Sequence, residues 1–495
     1  MNSIGDWITY NANWAGDRPA LRLGSESYTY TEMEAAVTKR CHLLIDQLGA
    51  KPGDQIAYLG FNSCEILFLL FACARTKCLL MPLNNRLALP EHLWILRHSK
   101  TRFLIYDNEF ATTAEHIAAD VDLQTLSLDT EYEAALQAAV TAPFQSLGSL
   151  DDPVLLLYTS GTTGHPKGVV HQQRALFYNA LNAIHAQEMR ALDHVLSVLP
   201  LFHSGGINIQ TSPAFYVGAQ VTLMDRFDPG ATLNAIQEIR PTMFLAVPAV
   251  IQALVNHPLW NNTDLSCLRV VGTGSSTVPN VLLNAWHDRG VPATQIYGMT
   301  ESAPAAICLP IAETQTKLGA AGKPVIHCEA RIVDESGKLV EANERGEIEI
   351  RGPNLFSEYL NEPELTDAAF NGDWFRTGDI GHVDDQGYYY IDDRKKDVII
   401  SGGENIYPAE LENVLADIPE LSEYAVIGRP DEKWGEATVA CVVLRDGQSL
   451  SKDELLAGFE GKLARYKHPQ DVLYFESLPR NAMGKVLKYK LREQI

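Results

Sequence analysis

The chain has 495 residues, 46% of them hydrophobic and 21% charged, with 62 acidic against 40 basic side chains and a formal net charge of -22. That length exceeds a single hydrophobic core, so at least two domains are expected. The acidic balance excludes broad, sequence-independent nucleic-acid binding, because no basic footprint offsets it.

The eight cysteines (Cys41, Cys64, Cys73, Cys78, Cys267, Cys308, Cys328 and Cys441) form no CxxC pair, which points to buried thiols in a reducing, cytoplasmic compartment. No basic start precedes an apolar run at the N-terminus, so no secretory signal is expected. The most apolar stretch, Ile66 to Ala74, is interrupted by Arg75, Thr76 and Lys77, too short for a membrane span and suited to a core helix.

In chain order, Thr31 is placed to cap a helix with Glu34 as its capping-box partner and Gly49 beyond its end. Residues 56–59 read as a strand, 64–77 as a helix, 78–84 as a strand, 91–99 as a helix and 103–107 as a strand, a succession that implies parallel βαβ units. The apolar run from Pro153 to Tyr158 reads as a buried strand emptying into YTSGTTGHPKGV, residues 158–169. There Thr159, Ser160, Gly161, Thr162, Thr163 and Gly164 offer backbone and hydroxyl donors to an anion, and Lys167 adds a cation. It is not the common P-loop, since Pro166 precedes Lys167 and Gly168 follows it.

Residues 171–190 read as a helix, 195–200 as a strand, and 201–208 as a loop carrying His203, Gly205, Gly206 and Asn208. Asp228 reads as the N-cap of a helix with Pro229 first and Pro241 as its stop. Three short strands at 242–248, 268–274 and 294–298 end in small or polar residues, at the edge where parallel sheets bind ligands. After about 320, short alternating runs indicate a β-rich subdomain, Asp384 and Asp385 fall in a solvated turn, and residues 393–415 join a strand through Gly402 and Gly403 to a helix.

Six motifs then stand in order: YTSGTTGHPKGV at 158, LPLFHSGG at 199, YGMTE at 297, WFRTGD at 374, DRKKDVIISGGENIYPAE at 393 and PRNAMGK at 479. With them the sequence resembles the adenylate-forming superfamily of acyl-CoA synthetases, firefly-type luciferases and nonribosomal peptide adenylation domains, and within it most of all the bacterial fatty-acyl and aryl-acid CoA ligases. The resemblance implies an α/β fold. A large N-terminal domain, 1–394, would hold layered, mostly parallel sheets with helices and a β-rich subdomain at about 320–394; a small, mobile α+β C-terminal domain, 395–495, would hinge near Lys396. The implied reaction joins a carboxylic acid, a fatty acid in first place, to CoA with ATP cleaved to AMP and pyrophosphate through an acyl-adenylate. An aryl-acid CoA ligase and a free-standing adenylation enzyme loading a carrier protein are the alternatives.

The resemblance also implies roles. Tyr297 would stack on adenine beside Gly274, Ser275, Ser276, Gly298 and Met299; Thr300 would donate to the α-phosphate and Glu301 hold Mg2+; Asp379 would accept both ribose hydroxyls, and Arg394 would also reach the nucleotide. Lys485 would bridge substrate carboxylate and α-phosphate. His203, Gly205, Gly206, Asn208, Ala303 and Pro304 would line the acyl pocket, and Gly402, Gly403 and Trp434 would meet CoA. Partners are then the acid, ATP and CoA, with no nucleic acid and no integral membrane association; a homodimer is left open.

Overall fold

The computed structural model describes residues 2–495 apart from Asp129, Thr130, Thr141, Ser160–His165, Ser276, Thr277, Gly403, Glu432, Lys433, Ala482 and Met483. Its frame is two large sheets. In the nine-stranded sheet, strands Ala293–Tyr297, Val270–Gly274, Met243–Ala246, His194–Ser197, Gln220–Leu223 and Pro19–Leu23 lie side by side and parallel, with antiparallel strands at both edges. The seven-stranded sheet runs Glu358–Tyr359, Lys167–Gln172, Pro153–Thr159, Leu79–Pro82, Gln55–Leu59, Phe103–Tyr106 and Gln124–Ser127. Helix Cys64–Thr76 packs against strands of both sheets and is buried at every residue, which is why its sequence is apolar all round. Among the described residues no helix is long and apolar enough to cross a membrane.

Arg75 and Glu65 are the charged residues in that buried helix, and each is paired. Arg75, 2% exposed, donates to the Gly5 carbonyl at 2.9 and 3.1 Å, to Thr9 Oγ1 at 3.0 Å and to Glu34 at 2.5 and 2.8 Å, tying three helices together. Glu34 is therefore not a capping-box partner: the helix spans Tyr30–His42, capped by Thr29 with Glu32, two residues earlier than the sequence pattern indicated. Glu34→Ala, which strands a buried guanidinium, is expected to destabilise the protein by about 3–5 kcal/mol. Urea unfolding followed by circular dichroism checks this, and an unchanged midpoint refutes it.

The β-rich region follows as an antiparallel sheet of Glu329–Val333, Gly346–Arg351, Trp374–Val383, Phe370–Asn371 and Tyr389–Arg394. A small fourth sheet, from Ile399–Ser401 to Asp471–Tyr474, forms the core of the C-terminal domain with helix Pro408–Ala416. One salt bridge and one hydrogen bond join the two domains: Arg345 reaches Glu410 at 2.6 Å, and Asp393 accepts from the Ala409 amide at 2.9 Å.

Two further expectations are corrected. Residues 167–172 are a strand antiparallel to Pro153–Thr159, so the helix starts only at Gln173, and the glycine-rich motif joins two paired strands. Within 201–208, residues 204–208 are helical rather than a loop and open a helical run that continues to Val217, because Ile207, Ala214 and Phe215 bury into the core. The Asp228 cap, the Pro229 start and the unpaired, mostly buried cysteines follow the sequence reading. Asp384 forms its expected turn and is also paired with Lys317 at 2.8 Å.

Candidate active site

The C-terminal ends of the parallel strands meet the β-rich sheet and the C-terminal domain at one place. Antiparallel pairing sets Asp379 opposite Arg394, and the Arg394 Nε lies 2.7 Å from Asp379 Oδ1. Tyr297, last in its strand, donates its hydroxyl to Asp379 Oδ2 at 2.7 Å. Burial first, and then the Asp379 charge, pushes the Tyr297 phenol well above its ordinary range, so it remains a donor.

Gly298 must be glycine: a Cβ there would lie 1.5 Å from the Pro304 carbonyl oxygen. The turn Thr300–Ser302 that follows is pinned by Ser302 Oγ, which accepts from the Met299 amide at 3.0 Å and donates to the Pro304 carbonyl at 2.9 Å. Asn354 adds donations to the Ser302 and Ala305 carbonyls. Glu301 so held accepts from the Tyr359 hydroxyl at 2.8 Å, and Lys167 Nζ sits 5.1 Å from the centre of the same Tyr359 ring.

Lys485 comes from the opposite end of the chain. Its amide donates to Asn481 Oδ1 at 2.9 Å and the Asn481 amide donates back to its carbonyl, closing a tight loop around Gly484. A Cβ on Gly484, whose φ is +75°, would come within 2.8 Å of Ala249 Cβ of the large domain. Burial, then the Arg394 charge, lowers the Lys485 ammonium below the ordinary lysine range, with Asp379 and Asp397 opposing. The structure thus brings Lys485, Asp379, Arg394 and Tyr297 together, though they are scattered over almost 190 positions of sequence.

The expected pocket residues divide. His203 and Gly205 are partly exposed, whereas Gly206, Asn208, Ala303 and Pro304 are buried. Although part of the His203 residue reaches the surface, its ring is enclosed: burial pushes its pKa down to about 4, and its Nδ1 is buried with no protein partner. Ser275 takes a left-handed φ of +75° beyond Gly274, while Thr159 ends its strand and Met299 flanks the Thr300 turn. Gly402 and Trp434 form a separate pair on the fourth sheet: the Gly402 amide donates to the Trp434 carbonyl at 2.7 Å, and a Cβ on Gly402 would lie 3.0 Å from the indole. Lys396 is exposed in the turn after Arg394. Ser160, Gly161, Thr162, Thr163, Gly164, Ser276 and Gly403 lie outside the described residues.

Sequence reasoning missed Tyr359 and Asn179. Asn179, buried, donates to the Asn208 carbonyl at 2.7 Å and accepts from the Ala305 amide at 3.0 Å, cross-linking the two segments that hold the pocket residues. An asparagine within the helical run 173–186 carried no signal of this, because both partners are remote in sequence.

Residues 8–360 match the model of the AMP-binding enzyme family and residues 410–485 that of the AMP-binding enzyme C-terminal domain. The chain is 42% identical to indoleacetate–CoA ligase of Aromatoleum aromaticum, over 99% of this chain and 98% of that one. It is 38% identical to the long-chain-fatty-acid–CoA ligase FadD13 of Mycobacterium tuberculosis, over 94% and 93%. Among solved structures, the anthranilate CoA ligase AuaEII in complex with anthranoyl-AMP superposes with a TM-score of 0.94 at 27% identity, covering 100% of this chain and 97% of that one. With both family regions present in order and Lys485 brought from the C-terminal domain to Asp379 and Arg394, the chain belongs to the AMP-binding enzyme family, as an ATP-dependent, AMP-forming acid:CoA ligase.

Proposed function

We propose that this ligase activates an aromatic carboxylic acid, and that its adenylation step is carried by Lys485. The observation that carries the mechanism is the approach of Lys485, from the C-terminal domain, to Arg394 and Asp379. Both chemical steps concentrate negative charge, so fixed cations and donors supply most of the rate enhancement. Asp379 accepts the ribose hydroxyls, Arg394 orients Asp379, Tyr297 covers the adenine, and Thr300 donates to the α-phosphate. Lys167 steadies the departing pyrophosphate, and the donors of residues 159–164 serve the β- and γ-phosphates. His203, neutral, lines the pocket without acting as a base, since the acid arrives already ionised.

Magnesium fits the donor set. Tyr359 occupies one oxygen of Glu301, leaving a hard carboxylate oxygen beside the Lys167 strand, and this ion is usually held by one or two carboxylates with substrate phosphates. When bound it would neutralise phosphate charge. After adenylation, the segment 395–495 is proposed to turn about Lys396 and present Gly402, Gly403 and Trp434 to CoA. The unpaired cysteines favour a cytoplasmic setting.

The acid classes take the reverse of their sequence-based order because of what lies beside the pocket segments. Gln187 and Gln210 are fully buried there, joined at 2.7 Å, with Gln210 Oε1 unpartnered, and Asn182 is buried nearby on the Asn179 helix. A long alkyl tail extending that way would desolvate amides without pairing them. The 42% identity to an indoleacetate ligase favours the same class. Thioester formation across a panel of aromatic and C8–C16 fatty acids, with and without CoA, tests it. Aromatic acids are expected to lead in kcat/KM by at least about tenfold; a fatty acid in the lead overturns the substrate class, and pyrophosphate release without any thioester overturns the proposed reaction sequence.

A further inference from the structure

Tyr359 belongs to none of the six motifs, yet it touches two of them. Its short strand, Glu358–Tyr359, pairs with the Lys167–Gln172 strand in the register Tyr359 to Val169, and the next amide, Leu360, donates to the Gly168 carbonyl at 2.8 Å. Three residues before it, the Phe356 amide donates to the Glu301 carbonyl at 2.8 Å. The backbone on either side of Tyr359 is thus fastened to the phosphate-loop strand and to the Glu301 turn. The side chain repeats the link: ring beneath Lys167 Nζ, hydroxyl on Glu301 Oε1. The ring is 6% exposed and packs on Phe356 with centroids 4.7 Å apart, so its position is fixed by the core.

We infer that Tyr359 is a positioning residue for the metal-bound nucleotide: its hydroxyl holds the Glu301 carboxylate with one oxygen turned to the cation, and its ring holds Lys167 at the pyrophosphate end. The inference rests on the reading of Glu301 as the magnesium ligand. The two contacts are separable. Tyr359→Phe keeps the ring under Lys167 and against Phe356 and removes only the hydroxyl; Tyr359→Leu removes both contacts.

The test is a calorimetric titration of ATP binding to the full chain at a series of Mg2+ concentrations, beside the adenylation rate. Loss of one hydrogen bond to a charged carboxylate is expected to raise the Mg2+ needed for half-saturation about tenfold in Tyr359→Phe, with the adenylation rate recovering at saturating Mg2+. Tyr359→Leu is expected to show that shift and, in addition, inhibition by pyrophosphate weakened about threefold through loss of the cation–π contact. A Mg2+ dependence in Tyr359→Phe equal to that of the unmodified chain overturns the inference, as does a loss of rate that no Mg2+ concentration restores. The binding measurement needs no acid substrate, so failure of the proposed acid class leaves it readable.

Discussion

Lys485→Ala is expected to slow acyl-adenylate formation by about 10²- to 10³-fold, the usual consequence of removing one positioned donor from a developing charge. Thioester formation from supplied acyl-adenylate should be largely retained, since the proposed second arrangement carries the lysine away. Single-turnover measurement of each half-reaction separates these, and equal loss in both sinks the assignment. The pH dependence gives an independent sign. The useful form is the ammonium, and burial together with Arg394 lowers its pKa. Adenylation should therefore fall as pH rises through that depressed pKa, at a lower pH than an ordinary lysine would set. In Lys485→Arg, whose cation does not titrate there, the alkaline limb should disappear even though the rate is lower.

Asp379→Ala should lower ATP affinity by about 10²-fold, because the carboxylate is proposed to accept two ribose hydroxyls through charge-assisted bonds and its removal also frees Arg394 and Tyr297. The mixture of direct and indirect loss can be resolved. Arg394→Ala alone removes the orienting partner, and in a double-mutant cycle the two residues should show strong coupling, the pair costing less than the sum of the singles. Additive effects on ATP binding by calorimetry would mean that Arg394 acts on the nucleotide without orienting Asp379.

Much of the fold was legible because it is written locally. Apolar runs marked the parallel strands, and Asp228-Pro229 marked a helix start where the structure has one. The misreadings come from patterns that local sequence presents twice or tertiary burial overrides. Thr29 with Glu32 and Thr31 with Glu34 offer the same capping spacing, and only the buried guanidinium of Arg75, 41 positions after Glu34, decides between them. Gly205-Gly206 looks like a loop, yet Gly206 sits where a Cβ would meet the Pro200 carbonyl at 2.2 Å, so the glycines permit a helix to start tight against the preceding strand. Tyr359 meets Glu301 across 58 positions and Asn179 meets Ala305 across 126, contacts that no periodicity or motif encodes.

Gly484 gives the interface a ruler. The residue beside Lys485 faces Ala249 with no side chain between them, and one methyl group would already be too much at 2.8 Å. How far the lysine reaches is thus set by the thickness of a missing group on a neighbouring residue. Position 484 is therefore a place where the gap between the domains can be altered without replacing any residue proposed to act on the substrates.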